Sequence, residues 1–188
     1  MKKYIILFLC LCCFSIAQGQ IHNFPHMKFM GVSINGDINT FAGKLIAKGY
    51  YVSPKNKNAM LGSRIMEGRF FDNKVMLDIH YDKKSKIVFA INVFFENYNE
   101  QILESTSNSI KDTIEKKYNF RKTTSTFTNG VKNLEYTIFE SVSEKYDASI
   151  GKISVSEIFF EYDKYLLVVN YTDLLNFDSH NKKAEDDI

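Results

Sequence analysis

Asp78 and His80 have the spacing in this chain that best suits acid–base chemistry. They lie in the run Val75–Tyr81, where Val75, Leu77, Ile79 and Tyr81 alternate with Met76, Asp78 and His80. Alternation of period two is strand geometry, so Asp78 and His80 project side by side from one face. A carboxylate beside an imidazole can act as orienter and base. A solvated strand face gives the same pattern, and no motif places a serine or other nucleophile next to the pair.

The remaining histidines and carboxylates offer less. If an N-terminal signal is removed before Gln20, the chain begins Gln20-Ile21-His22. A free amine, two amide nitrogens and the His22 imidazole then form a square-planar nitrogen set suited to Cu(II) or Ni(II). Cleavage before Gln18 moves His22 to the fifth position, and cyclisation of an N-terminal glutamine removes the amine. Pro25 lies between His22 and His26 and opposes a helix that would pair them. His180 has no partner visible in the sequence. Glu157 and Glu161 flank Phe159 on one strand, four residues apart. That spans about 13 Å along a strand, beyond the roughly 5–10 Å that separates glycosidase carboxylates. No phosphate-binding loop or calcium-loop spacing occurs, and no cofactor is expected.

Adjacent aromatic pairs are a further feature: Phe70-Phe71, Phe94-Phe95 and Phe159-Phe160. Neighbours on a strand face opposite sides, so one of each pair must leave a helix-covered face. Phe70, Phe94 and Phe160 are the partner-binding candidates, because aromatics gathered on an open face form an interaction patch.

The elements that must position these residues follow from periodicity and turn chemistry. Met30–Ile34 predicts a short strand closed by Asn35-Gly36. Asp37 caps a helix over Asp37–Lys48, with Ile38, Phe41, Leu45 and Ile46 at helical spacing and Gly49 as its stop. Strands follow at Tyr50–Ser53, Ser63–Phe71, Val75–Tyr81 and Ile87–Phe95, with Asn56–Asn58 a polar loop. Ile102, Thr106, Ile110, Ile114 and Tyr118 then form an i, i+4 stripe that predicts a helix over Glu100–Lys117. A second set of strands runs through Phe120–Phe127, the segment around Leu134–Ile138, Ile153–Tyr162 and Tyr165–Tyr171, with Asn129-Gly130 as a hairpin turn. The expected fold is α+β: an antiparallel sheet with two helices on one face, built as two helix-plus-four-strand pseudo-repeats. That plan is similar to β-lactamase-inhibitor-like folds, and its uncovered face would be partly solvated.

The chain's ends carry targeting information. Lys2 and Lys3, the apolar run Tyr4–Ile16 and the small residues of Ala17-Gln18-Gly19 have the order of a secretory signal over residues 1–19. The run falls short of the ~20 apolar residues that span a bilayer, so no integral span is expected after cleavage. All three cysteines, Cys10, Cys12 and Cys13, lie within it. The mature protein therefore has no thiol nucleophile, disulfide or cysteine–zinc site. Removing Lys2 and Lys3 leaves 22 basic against 22 acidic residues. This neutrality opposes nucleic-acid binding and a polybasic membrane surface. Residues 20–28 read as a flexible lead, 29–175 as one domain and 176–188 as a charged tail.

Residues His26–Tyr50, with the strand Phe29–Ile34, the Asn35-Gly36 turn and the helix ending Lys48-Gly49-Tyr50, resemble the opening of a group of uncharacterised exported proteins of gut anaerobic bacteria. The resemblance covers about 25 residues and rests on turn and cap chemistry. It implies export and this local fold, and it carries no catalytic residue.

These features point to a periplasmic or secreted binding or inhibitor-like module with a protein partner in the envelope or extracellular space. An envelope hydrolase using Asp78 and His80, and a structural envelope component, are the alternatives. Intact-mass spectrometry of protein recovered from the producing cell should return a chain beginning at Gln20; a chain retaining Met1 would exclude cleavage.

Overall fold

The computed structural model describes residues 25–96, 99–127, 131–143, 146–160 and 164–185. At 125–127, 140–143, 146–148, 159, 160, 164 and 182–185 it describes the backbone course alone. The signal, His22, the Asn129-Gly130 turn and Glu161 lie outside the described residues.

The fold is α+β with a large antiparallel sheet. The first elements are a hairpin, β1 (Lys28–Phe29) with β2 (Val32–Ser33). A single strand over Met30–Ile34 was the expectation, but Met30 and Gly31 take left-handed φ of 50° and 76° and reverse the chain there. Helix α1 (Ile38–Ile46) starts where Asp37 accepts from the amides of Asn39 at 2.8 Å and Thr40 at 3.4 Å. It stops at Gly49, whose φ of 91° suits a residue without Cβ. Next come β3 (Tyr51–Val52), a 3₁₀ turn over Pro54–Asn58, β4 (Ser63–Phe70), β5 (Asn73–Tyr81) and β6 (Val88–Phe95). Helix α2 (Glu100–Lys117) is capped by Asn99, and β7 (Asn119–Phe127), β8 (Val131–Ser143), β9 (Tyr146–Phe160) and β10 (Lys164–Asp173) follow. Helix α3 (Leu174–Glu185) closes the described chain, so the expected tail is helical there.

Eight strands form one antiparallel sheet in the order β3-β4-β5-β6-β10-β9-β8-β7. Two meanders therefore meet where β6 pairs with β10. The register places Met66, Leu77, Val93, Val169, Val155 and Leu134 opposite one another in a row across six strands. All six are buried. Burying a side chain of this size contributes roughly 1.5–3 kcal/mol. Phe41 and Leu45 of α1 and Leu103, Ile110 and Ile114 of α2 belong to the same apolar cluster.

One buried carboxylate ties the ends of the domain together. Asp173, fully buried, closes β10 and accepts from the Asn176 amide at 3.0 Å in the first turn of α3. Its other oxygen accepts from the Met27 amide at 2.8 Å, and His26 Nδ1 lies 3.1 Å from both oxygens. Met27 packs on Gly151, which pairs with Asp173; a Cβ at Gly151 would overlap the Met27 side chain and the Thr172 carbonyl. Residues 26–28 of the expected flexible lead are thus anchored. A second buried carboxylate, Glu157, accepts from Ser107 at 2.6 Å and from Lys111, with Lys132 at 3.6 Å, and so joins α2 to β9. Burial opposes its ionisation, yet the hydrogen bonds from Lys111 and Ser107 and the lysine charges outweigh burial and hold its carboxyl below the ordinary value.

Replacing Asp173 by alanine strands the Met27 and Asn176 amides in a buried site. D173A should lose about 2–4 kcal/mol of unfolding free energy in urea titrations.

Candidate functional site

The residues between the buried positions of β5, β6 and β10 line the opposite face of the sheet. On β5, Met76, Asp78 and His80 are part-exposed where Val75, Leu77 and Ile79 are buried. Asp78 stands opposite Asn92, Asn92 opposite Asn170, Asn170 opposite Ser154, and Ser154 opposite Glu135. A polar row therefore crosses five strands back to back with the apolar row. Asparagine is disfavoured in strands, and β6 holds Asn92 between Ile91 and Val93.

Hydrogen bonds run along this face in one sense. The Thr172 hydroxyl donates to Asn170 Oδ1 at 2.8 Å. Asn170 Nδ2 donates to Asn92 Oδ1 at 2.7 Å, and Asn92 Nδ2 lies 3.0 Å from His80 Nε2. With every donor pointing toward His80, Nε2 is the acceptor and the ring proton belongs on Nδ1. Asp78 Oδ2 lies 3.4 Å from the same nitrogen, and Asp78 Oδ1 accepts from the Ser63 hydroxyl. The expected neighbours Asp78 and His80 do meet. Ser63, Asn92, Asn170 and Thr172 join them from three other strands, a gathering set by pairing between distant segments.

The arrangement does not assemble a nucleophile relay. In a Ser–His–Asp relay the imidazole stands between hydroxyl and carboxylate. Here the carboxylate stands between, and the Ser63 proton points at Asp78. Beside the pair is a cavity of about 260 Å³ walled by Ser63, Ile65, Asp78 and His80 and lipped by Met60 and Leu61. Both lip side chains are 76% exposed.

The aromatic candidates divide. Phe94 lies on the polar-row face, part-exposed, opposite Met76 and Val168. Phe70 lies in the core at 6% exposure, its ring 5.4 Å from that of Phe29. Its neighbour Phe71 does not take the other face as strand alternation would require. Phe71 and Asp72 have φ of 48° and 59°, so the strand ends at Phe70 and the turn folds the Phe71 ring back to 4.9 Å from Phe70. Phe160 is on β9, its side chain outside those described.

The other described histidines are also placed. His26 serves the Asp173 cluster. His180 has a partner that sequence separation concealed: Asp82 Oδ2, at 2.8 Å. Its ring stacks on Phe89 at 4.7 Å, and Phe89 stacks in turn on His80 at 6.3 Å. Glu157, considered with Glu161 as a carboxylate pair, is buried and held by Ser107, Lys111 and Lys132. Among the described residues, no group of three or more histidine, cysteine, aspartate or glutamate side chains could hold a metal ion. No helix among them is long and apolar enough to cross a membrane.

No family model, curated protein or solved structure matches this chain.

Asp82 gives the site's periphery a pH dependence. The Ser85 amide, then His180 and the Ser85 hydroxyl, hold its carboxyl far below the ordinary value. The folded state keeps Asp82 ionised at a pH where the unfolded chain is protonated, so unfolding takes up a proton as the solution is acidified. The contribution is complete above the usual carboxylate range and shrinks as pH falls below about 4. D82N should lose about 1–2 kcal/mol at pH 7, and its stability should fall less steeply than wild type between pH 5 and 2 in thermal unfolding scans.

Proposed function

We propose that this chain is an exported, non-catalytic binding module that takes its partner on the polar-row face of the sheet. In this reading the two helix-plus-four-strand halves are pseudo-repeats, with α1 and α2 covering one face and the other left for recognition. The observation that carries it is the directed chain of hydrogen bonds from Thr172 through Asn170 and Asn92 to His80. Such a chain locks side-chain orientations at a part-exposed surface, which lowers the ordering entropy that a partner must overcome. The Ser63–Asp78 bond supports binding over hydrolysis, because the hydroxyl is turned away from the imidazole that would activate it. Export is supported by the signal pattern of residues 1–19 and by the resemblance of residues 26–50 to exported proteins of gut anaerobes.

Affinity capture from envelope and culture fractions, with mature protein beginning at Gln20, tests the reading. The wild type should retain a stoichiometric partner, and an N92A/F94A variant with unchanged far-ultraviolet dichroism should lose it at least tenfold. Equal retention by the folded variant would overturn the assignment of the face.

A further inference from the structure

We infer that the 260 Å³ cavity beside Asp78 binds an aliphatic ammonium group, the cation against Asp78 and its carbon chain along Met60, Leu61 and Ile65. The inference deepens the binding-module reading and rests on it. Asp78 is 24% exposed at its side chain and is bonded by a neutral hydroxyl, that of Ser63. The nearest potential cation is His80, whose Nε2 accepts a hydrogen bond from Asn92 Nδ2, the Asn92 oxygen being taken by Asn170, and so offers no N–H to Asp78. Among the described residues no lysine or arginine pairs with Asp78, and a half-buried carboxylate in that state favours an incoming cation. Lys55, which also borders the cavity, is drawn off by Glu96 at 3.8 Å and is 64% exposed.

Shape selects among cations. The volume is below the range of pockets for drug-sized ligands, so it admits one side-chain-sized group. Beside Lys55 and Asn58, its border is apolar over Ala59, Met60 and Leu61 and unbranched at Met60, a residue that adapts to flexible chains. A compact charge on a straight carbon stem has these two properties, whereas a planar guanidinium seeks a bidentate carboxylate. One oxygen of Asp78 is already taken by Ser63. The ligand is therefore a primary amine on a chain of about four to six carbons, whether a lysine side chain of a polypeptide or a free alkylamine.

The test is calorimetric titration of the mature protein at pH 8 with n-hexylammonium, methylammonium, 1-hexanol and hexanoate. Hexylammonium should bind at least tenfold more tightly than hexanol and hexanoate. Lengthening from methyl to hexyl should gain two- to fourfold per methylene. D78N should abolish the preference for hexylammonium over hexanol, and M60S/L61S should flatten the chain-length dependence while keeping the charge preference. A short neutral peptide with one central lysine distinguishes the sources: tighter binding than hexylammonium assigns the site to a polypeptide, weaker binding to a free amine. Equal binding of hexanol and hexylammonium, full retention by D78N, or no binding of any amine would overturn the inference. If D78N fails to fold, methyl signals of Met60, Leu61 and Ile65 in the wild type decide it, since they should shift with hexylammonium and stay put with hexanol. Loss of amine binding alongside a captured partner that N92A/F94A releases would remove this ligand and leave the module; amine binding with no effect of N92A/F94A on the captured partner would do the reverse.

Discussion

The pairing of β6 with β10 is the contact on which the sheet depends. Without it there are two four-stranded meanders, each with a second open edge, at β6 and at β10. With it, Val93 meets Val169 and Asn92 meets Asn170, so the apolar and polar rows each cross the seam unbroken. A slip of one residue at this seam would turn Asn92 toward the core and Val93 toward water. Burying an unpartnered amide is costly enough to specify the register. The asparagine pair thus orders the outer face and also fixes which face is inner.

Buried charge is used at two joints outside the seam. Asp173 receives the Met27 and Asn176 amides and gathers β10, α3 and the N-terminal hairpin. Glu157 receives Ser107 and Lys111 and fastens α2 to the strand beneath it. A carboxylate that must find particular donors admits one position, and its net contribution to stability is smaller than the loss from removing one partner.

The outer face shows the consequence for function. A strand face exposed to water can carry independent polar residues, each solvated. Here the side chains satisfy one another first: Thr172, Asn170, Asn92 and His80 form a line with one sense of donation. This directionality leaves His80 Nε2 without a proton to share and leaves Asp78 facing the cavity with a neutral serine as its hydrogen-bond donor. The same bonds that disfavour an acid–base relay are the ones on which the proposed recognition of a cation rests. Of the aromatic candidates with described side chains, Phe70 belongs to the core and Phe94 lies on the outer face beside Met76 and Val168.

Both main helices, the strand alternation of β5 and of β6 from Ile91 to Phe95, and the neighbouring of Asp78 and His80 were legible in the chain, because helix and strand periods are local properties; the alternation expected to include Ile87 and Phe89 is broken by a bulge where Tyr81 pairs with Val88 and His80 with Ala90, which turns Phe89 toward His80. Asp37 and Gly49 set the ends of α1 through bonds and φ values within a few residues. Turns were legible less well: Met30 and Phe71 are non-glycine residues at positive φ, held there by the structure around them, and each converted an expected strand residue into a turn. Partners distant in sequence were not legible. Asn92 and Asn170 are separated by 78 residues, and Asp82 and His180 by 98. Alternation places polar residues on one face without saying which strands lie side by side. The amino-acid sequence by itself determined the two main helices, most of the strands and the polar and apolar sides of the central ones; tertiary structure alone decided that β10 lies beside β6, and with it which polar groups meet, because strand pairing is a long-range choice made by registering entire rows of side chains at once.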